Sequence, residues 1–101
     1  MSALRYIYRD LETPGIERLD VYRAAGGYQA FEKALKTMTP PEVVEIVKAA
    51  RLVGRGGAGF PTGLKWELVA REPLTPKYLV ANAEEGEPGT FKDLPIMTRI
   101  P

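Results

Sequence analysis

Residues 53–66 read VGRGGAGFPTGLKW, with five glycines and one proline in fourteen residues, and the sequence then continues as an apolar run that favours a helix. A glycine inside a regular element costs about 0.5–1 kcal/mol relative to alanine, because it loses more backbone freedom on folding. This density of glycine therefore indicates a loop whose backbone something else approaches closely. Gly54, Gly56 and Gly59 also match the G-x-G-x-x-G pattern, which alone is as typical of a turn without a ligand as of a phosphate-binding loop.

The segment immediately before this loop predicts a helix over residues 39–54. Thr39 can cap its start, Pro40 suits the first helical position, and Glu42 completes a capping box. The helix is predicted to end at Gly54. Because the dinucleotide fingerprint of a standard Rossmann unit follows a strand, a loop that follows a helix does not fit that unit.

Further towards the N-terminus, residues 18–38 contain two short helical patterns separated by Gly26 and Gly27. The second pattern is amphipathic. Its apolar stripe consists of Tyr28, Phe31, Ala34 and Leu35. The residues before these helices mix aromatic and charged side chains and predict a leader that is poorly ordered or docks elsewhere.

After the loop, Thr62 is predicted to cap a second helix that stops before Pro73. The next apolar segment, Lys77–Asn82, has the doubly apolar pattern of a buried parallel strand. It runs directly into an acidic loop in which Glu84, Glu85 and Glu87 fall within four positions. Open α/β sheets place ligand sites beyond such strand ends, but the spacing of these carboxylates alone favours a solvated loop.

Composition limits the chemistry that the chain can perform. Its 101 residues include 14 basic and 13 acidic side chains, so the net charge of +1 creates no broad field that would attract nucleic acid or an anionic membrane. The absence of cysteine and histidine excludes disulfides, thiolate chemistry and imidazole catalysis, and we expect no metal site. With no signal peptide and no apolar run long enough to span a bilayer, the sequence predicts a cytoplasmic chain without direct membrane insertion.

Read together, GRGGAGFPTGLKW and YLVANAEEGEPGTFKD closely resemble the N-terminal part of the flavin domain in the NADH-binding flavoprotein subunit of respiratory complex I. The same module occurs in related NAD-dependent hydrogenases and formate dehydrogenases. The resemblance is strongest over Arg51–Asp93, and it extends back into the helices that precede the loop. Two long blocks in the same order are a specific match.

The resemblance implies that the chain binds FMN and NADH and takes part in hydride transfer from NADH to the flavin. In the family Phe60 corresponds to an aromatic side chain that stacks on adenine, Lys65 to a lysine on the flavin side, and Glu87 to a carboxylate close to NADH. Asn82 and Glu84 correspond to polar groups that contact the flavin. The cofactor-binding residues implied are Gly54, Arg55, Gly56, Gly57, Ala58, Gly59, Phe60, Gly63, Lys65, Asn82, Glu84, Glu85 and Glu87.

No residue of the chain is expected to act as a catalytic acid, base or nucleophile, because the flavin carries the chemistry. The resemblance also implies that electrons pass to a four-iron four-sulfur cluster, which this chain does not ligate, and that other subunits of an electron-transfer complex are partners. Through them the chain would lie at the periphery of the inner membrane.

We therefore expect an α/β chain in which N-terminal helices precede the glycine-rich loop, helix and first strand of an incomplete Rossmann-like FMN-binding domain. Residues 1–38 would form the leader and its helices, and residues 39–101 the N-terminal half of the FMN/NADH domain. Two alternatives stay open: a non-catalytic module that binds nucleotide or phosphate through the same loop, and an interaction protein whose leader helices dock a partner. Flavin absorbance after reconstitution separates the first alternative from the flavoprotein.

Overall fold

The computed structural model describes residues 6–101, and the first five residues of the predicted leader lie outside this range. The described residues form the helices α1 (Leu19–Ala24), α2 (Gln29–Thr37), α3 (Pro40–Ala49), α4 (Thr62–Arg71) and α5 (Asp93–Arg99). They contain no β-strand, although an antiparallel bridge joins Val53 to Pro61. The helical part of the predicted α/β class is present, and the predicted strand is not.

The chain divides into two compact units. One unit is Ala30–Tyr78, which holds α3, α4 and the glycine-rich loop between them. The other unit comprises, among the described residues, 6–29 together with Leu79–Pro101, and it holds α1, the acidic loop and α5. The two groups of predicted site residues therefore belong to different units.

The glycine pair between α1 and α2 lies where the sequence predicts a break. Gly26 has a φ of +100°, which a glycine adopts without strain, and the Gly27 N–H donates to the Tyr22 carbonyl at 2.8 Å. A side chain on Gly27 would overlap the ring of Tyr22. The rings of Tyr22 and Tyr28 then meet edge to face with centroids 5.1 Å apart.

The predicted start of α3 is confirmed in detail. The Thr39 N–H donates to Glu42 Oε2 at 2.7 Å, and the Glu42 N–H donates to Thr39 Oγ1 at 3.4 Å, which is a complete capping box with proline at the first helical position. The Thr39 backbone N–H, with the Thr39 hydroxyl, lowers the pKa of the Glu42 carboxyl. The Glu42 carboxylate and the Thr39 hydroxyl oxygen thus accept from backbone N–H groups that have no intrahelical partner at the helix start.

The predicted end of α3 at Gly54 is wrong, since the helix ends at Ala49. Arg51 adopts a φ of +53° and its N–H donates to the Lys48 carbonyl at 3.1 Å, so the chain turns away from the helix axis before the glycines begin. Glycine usually occupies this left-handed position after a helix. An arginine there carries no sequence signal, which explains the error.

Thr62 is the first residue of α4 and not its cap, contrary to the prediction. Pro61 occupies the cap position, and the Thr62 N–H donates to the Leu52 carbonyl at 2.9 Å instead of being satisfied by a side chain. The end of α4 at Arg71 confirms the predicted stop before Pro73. A long-range backbone contact thus replaces the local cap.

The predicted strand over Lys77–Asn82 is wrong, because these residues have no regular secondary structure. Tyr78, Leu79 and Val80 are 85%, 97% and 87% exposed. A parallel strand that is apolar on both faces forms only when neighbouring strands satisfy its N–H and C=O groups and helices cover its faces. Residues 6–101 contain no neighbouring strand, so this apolar segment does not form the strand that its pattern predicts.

The sequence pattern does not predict helix α5. Its sequence DLPIMTR places Asp93 in the first turn and Arg99 in the last, the charge order that suits a helix dipole, but Pro95 and the short length hide the signal. None of the helices in the part of the chain that the structure describes is long and apolar enough to cross a membrane.

Candidate functional site

The glycine loop, residues 54–60, is closed at its base by a short neck of paired backbone. The Gly54 N–H donates to the Phe60 carbonyl at 2.8 Å, and the Thr62 N–H donates to the Leu52 carbonyl at 2.9 Å, on either side of the bridge between Val53 and Pro61. These bonds satisfy the backbone at both ends of the loop. The neck therefore joins the end of α3 to the start of α4 and fixes where the loop leaves the helices.

Within the loop the backbone donors stay free. The N–H groups of Arg55–Phe60 donate no hydrogen bond to any other described residue, and in the first turn of α4 the same holds for Gly63 and Leu64. That turn contains no acidic side chain to compensate the positive end of the helix. Free N–H groups in a loop that leads into a helix start are the arrangement that proteins use to bind phosphate groups.

The glycines of the loop differ in whether their backbone angles require glycine. Gly57 and Gly59 have φ values of +100° and +62°, which disfavour any side chain. Gly56 has no positive φ, and a Cβ built on it meets no atom within 4 Å. No described residue therefore requires glycine at position 56, and the space beside its backbone is open.

Cationic and aromatic side chains flank the free donors. Arg55 and Lys65 are both exposed, and neither has an ion-pair partner among residues 6–101. Phe60 is 45% exposed, so its ring is available for stacking. The loop can thus offer hydrogen-bond donors, positive charge and an aromatic face to an anionic, aromatic ligand.

Gly63 has a structural role that the sequence pattern does not indicate. It is buried in the first turn of α4, where a Cβ would lie 2.6 Å from the backbone nitrogen of Lys48 and 2.8 Å from its Cα. The glycine therefore lets α4 pass directly over the last turn of α3. A glycine near a helix start that no turn requires is the signal for such a contact.

We predict that Gly63→Ala separates α3 from α4. The added methyl group cannot occupy its place unless the Lys48 backbone moves, and overpacking of this kind costs about 1–3 kcal/mol. Amide hydrogen exchange in the protein that carries this chain should show at least tenfold lower protection across α4. Gly56→Ala, compared in the flavin-free form of the protein, is the control, because its methyl group enters open space. Equal protection in the two flavin-free variants would contradict the packing role.

In the acidic loop, the first polar side chains bind the loop's own backbone. The Asn82 side-chain oxygen accepts from the Glu84 N–H at 2.9 Å, and the Glu84 carboxylate accepts from the Gly86 N–H. These are turns in which a side chain replaces a backbone acceptor. Asn82 and Glu84 thus shape the loop, and their remaining acceptor capacity is exposed.

Glu85 is directed to α5. Its Oε1 accepts from the Asp93 N–H at 2.9 Å and from the Leu94 N–H at 2.7 Å, and it therefore caps a helix that has no cap of its own. The other oxygen, Oε2, is buried and has no hydrogen-bond partner among the described residues. The eight-residue separation from Asp93 explains why local spacing gives no sign of this contact.

Glu87 differs from its two neighbours, because its exposed carboxylate forms no hydrogen bond or ion pair with a described residue. The backbone around it is ordered by a turn in which the Thr90 N–H donates to the Glu87 carbonyl at 3.2 Å. Among the predicted acidic-loop residues, Glu87 has the side chain most available to a ligand.

The structure assembles the predicted site residues as two groups, one in each unit. Gly54–Phe60, Gly63 and Lys65 belong to the Ala30–Tyr78 unit, and Asn82–Glu87 belong to the other. The first group fits the phosphate of a nucleotide-like cofactor, since its donors are free and its cations unpaired. Residues 6–101 contain no group of three or more acidic side chains that could hold a metal ion.

Comparison with known proteins gives matches over most of the chain. The family model for the Nuo51 FMN-binding domain matches residues 47–101. The chain is 55% identical over 95 residues to an NADH-quinone oxidoreductase subunit of Rhizobium meliloti. This alignment covers 94% of this chain and 23% of that protein. It is 46% identical over 100 residues to such a subunit of Aquifex aeolicus (99% and 23%) and 51% identical over 84 residues to one of Escherichia coli (82% and 19%). The chain thus spans less than a quarter of the length of these relatives.

Proposed function

The chain belongs to the family of the Nuo51 FMN-binding domain, and from that membership we propose that it supplies the flavin-binding loop of an NADH-oxidising flavoprotein. Relatives that share about half of its residues are named as subunits of NADH-quinone oxidoreductase. In this proposal residues 39–101 form the first part of the FMN/NADH domain, and residues 1–38 form the leader before it.

The observation that carries the proposal is the open space at Gly56. The chain itself places no atom near that position and requires no unusual backbone angle there, so a side chain is tolerated unless a ligand lies against the backbone. The free N–H groups of Arg55–Phe60 would hold the FMN phosphate, and Arg55 and Lys65 would add positive charge.

An FMN held by the glycine loop would supply hydride acceptance from NADH and one-electron transfer onward to an iron–sulfur cluster. The residues of this chain position both molecules and set the charge around them. Phe60 would stack on the adenine, Asn82 and Glu84 would orient the flavin, and the free carboxylate of Glu87 would face the nucleotide. The chain contains no cysteine, so the ligands of a cluster would come from elsewhere.

The proposal extends to location and partners. Like the subunits that it resembles, the chain would assemble with other subunits of an electron-transfer complex. It would lie in the cytoplasm at the periphery of the inner membrane, where those subunits hold it. Quinone, hydrogenase and formate dehydrogenase systems are all compatible with this arrangement.

The proposal is tested with the flavin-loaded protein that contains this chain, titrated anaerobically with NADH. We expect NADH to bleach the flavin absorbance. Glu87→Gln should keep the FMN content and change the NADH affinity about two- to fivefold, towards tighter binding, because it removes a negative charge near the dinucleotide phosphates.

Glu17→Gln is the matched control, because Glu17 is also exposed and without a partner among the described residues. The same NADH affinity in both variants would show that Glu87 is a solvated loop residue. If the protein binds inorganic phosphate but neither FMN nor NADH, the flavoprotein proposal is wrong and the chain is a non-catalytic phosphate-binding module.

A further inference from the structure

Lys48 links the two helices on which the glycine loop is mounted. It lies in the last turn of α3, and its Nζ is 3.0 Å from Glu45 Oε1 on the same helix and 3.4 Å from Glu67 Oε1 on α4. The Lys48 side chain is 35% exposed and the Glu67 side chain 22% exposed, so the contact lies at the surface and is partly covered on the Glu67 side. The carboxylate of Glu45, and after it that of Glu67, raises the pKa of Lys48.

The backbone of the same residue contacts both sides of the neck. The Lys48 carbonyl accepts from the Arg51 N–H at 3.1 Å, at the turn that leads into the loop. On the other side, α4 comes so close at Gly63 that there is no room for a methyl group above Lys48. A movement of Lys48 therefore displaces the segment that enters the loop and the helix that leaves it.

Open space adjoins the neck in the described part of the chain. A groove of about 370 Å³ lies beneath it, lined mainly by Lys48, Leu52, Val53, Pro61, Gly63 and Leu64. Side chains do not fill this space, and Lys48 contacts α4 beside it through Gly63 and Glu67.

We propose that the contact of Lys48 with Glu67 is a clasp that positions the glycine loop for its cofactor. Lys48 is a positioning residue: it holds α4 at one angle to α3, so that the free N–H groups of the loop and of the first turn of α4 keep one arrangement. The clasp rests on the proposed flavin-binding function of the loop. Lys48 and Glu67 lie outside the predicted site, and the clasp gives them an effect on cofactor affinity.

The test measures FMN affinity and the visible circular dichroism of bound flavin in the protein that contains this chain. Lys48→Met keeps the aliphatic stem over Gly63 and removes the charge, and Glu67→Gln removes its partner. Each should weaken FMN binding about three- to tenfold and alter the dichroism, the range expected when a coupling contact between helices is lost. The double variant should be no weaker than either single variant, and Lys48→Arg should restore the affinity.

Arg71→Met is the matched control, because Arg71 pairs with the same Glu67 oxygen at 3.0 Å but within α4, so its loss should not move the loop. If Lys48→Met does not fold, the FMN affinity of Glu67→Gln tests the clasp. Unchanged Trp66 fluorescence in that variant would show that it is folded. FMN affinities within twofold of the unmodified protein for Lys48→Met and Glu67→Gln, or losses that multiply in the double variant, would overturn the clasp. Retention of FMN by Gly56→Val would instead overturn the proposed function.

Discussion

Gly56→Val should leave the protein folded and remove its flavin. Position 56 has an ordinary backbone angle and no neighbouring atom within 4 Å, so a branched side chain creates no clash with the described chain. If FMN lies on the loop, the same side chain occupies the cofactor's place, and the phosphate loses the N–H groups around it. We expect FMN binding to weaken on the order of a hundredfold, equivalent to about 3 kcal/mol.

The measurement is the flavin-to-protein ratio of the purified protein, followed by an FMN titration of the flavin-free form. Gly56→Ala should give an intermediate loss, since its single methyl group projects less far. Ala30→Val, on an exposed position of α2, adds a similar side chain away from the loop and should keep its flavin. Gly59→Val is a weaker test, because the φ of +62° at that position strains any side chain. Normal flavin content in Gly56→Val would falsify the assignment of the loop.

Features that depend on neighbouring residues could be predicted from the sequence. The capping box of α3 is one example, because Thr39 and Glu42 lie three positions apart and each satisfies the other's backbone donor. The break at Gly26 and Gly27 is another, since it depends on the backbone freedom of glycine. The family match likewise confirms the resemblance that is based on the glycine loop and the acidic loop.

Features that depend on distant residues could not be predicted. The Thr62 N–H finds its acceptor at Leu52, and the α5 start finds its cap in Glu85, so no local spacing reveals either contact. The resemblance assigns Gly63 to the cofactor site, whereas its nearest atoms belong to Lys48 on another helix. In each case the residue is explained by a contact with a residue that is distant in the sequence.

The strand prediction is wrong for another reason: a strand of this pattern depends on being covered by other elements. The apolar pattern of Lys77–Asn82 describes a segment that is stable only when covered on both faces. The described residues leave its side chains almost fully exposed. Contiguous exposed apolar side chains mark surfaces that interact with protein, membrane or ligand, or that favour aggregation. The pattern thus describes an environment that residues 6–101 do not themselves provide.

The 101-residue chain on its own should therefore melt without a cooperative transition and bind FMN weakly. Within residues 6–101, Ile16 is the only buried apolar side chain, at 3% exposure, whereas Leu79 and Val80 are 97% and 87% exposed. Ordering each residue costs about 1–2 kcal/mol of backbone entropy, which burial of so little apolar surface does not offset. We expect far-ultraviolet circular dichroism to show helix, near-ultraviolet dichroism to be weak, and a hydrophobic dye to bind, as in a molten globule. Calorimetry with and without FMN is the measurement. A single sharp unfolding peak that FMN shifts to higher temperature would contradict the prediction, because it requires a packed core and a formed flavin site that these residues would have to supply alone.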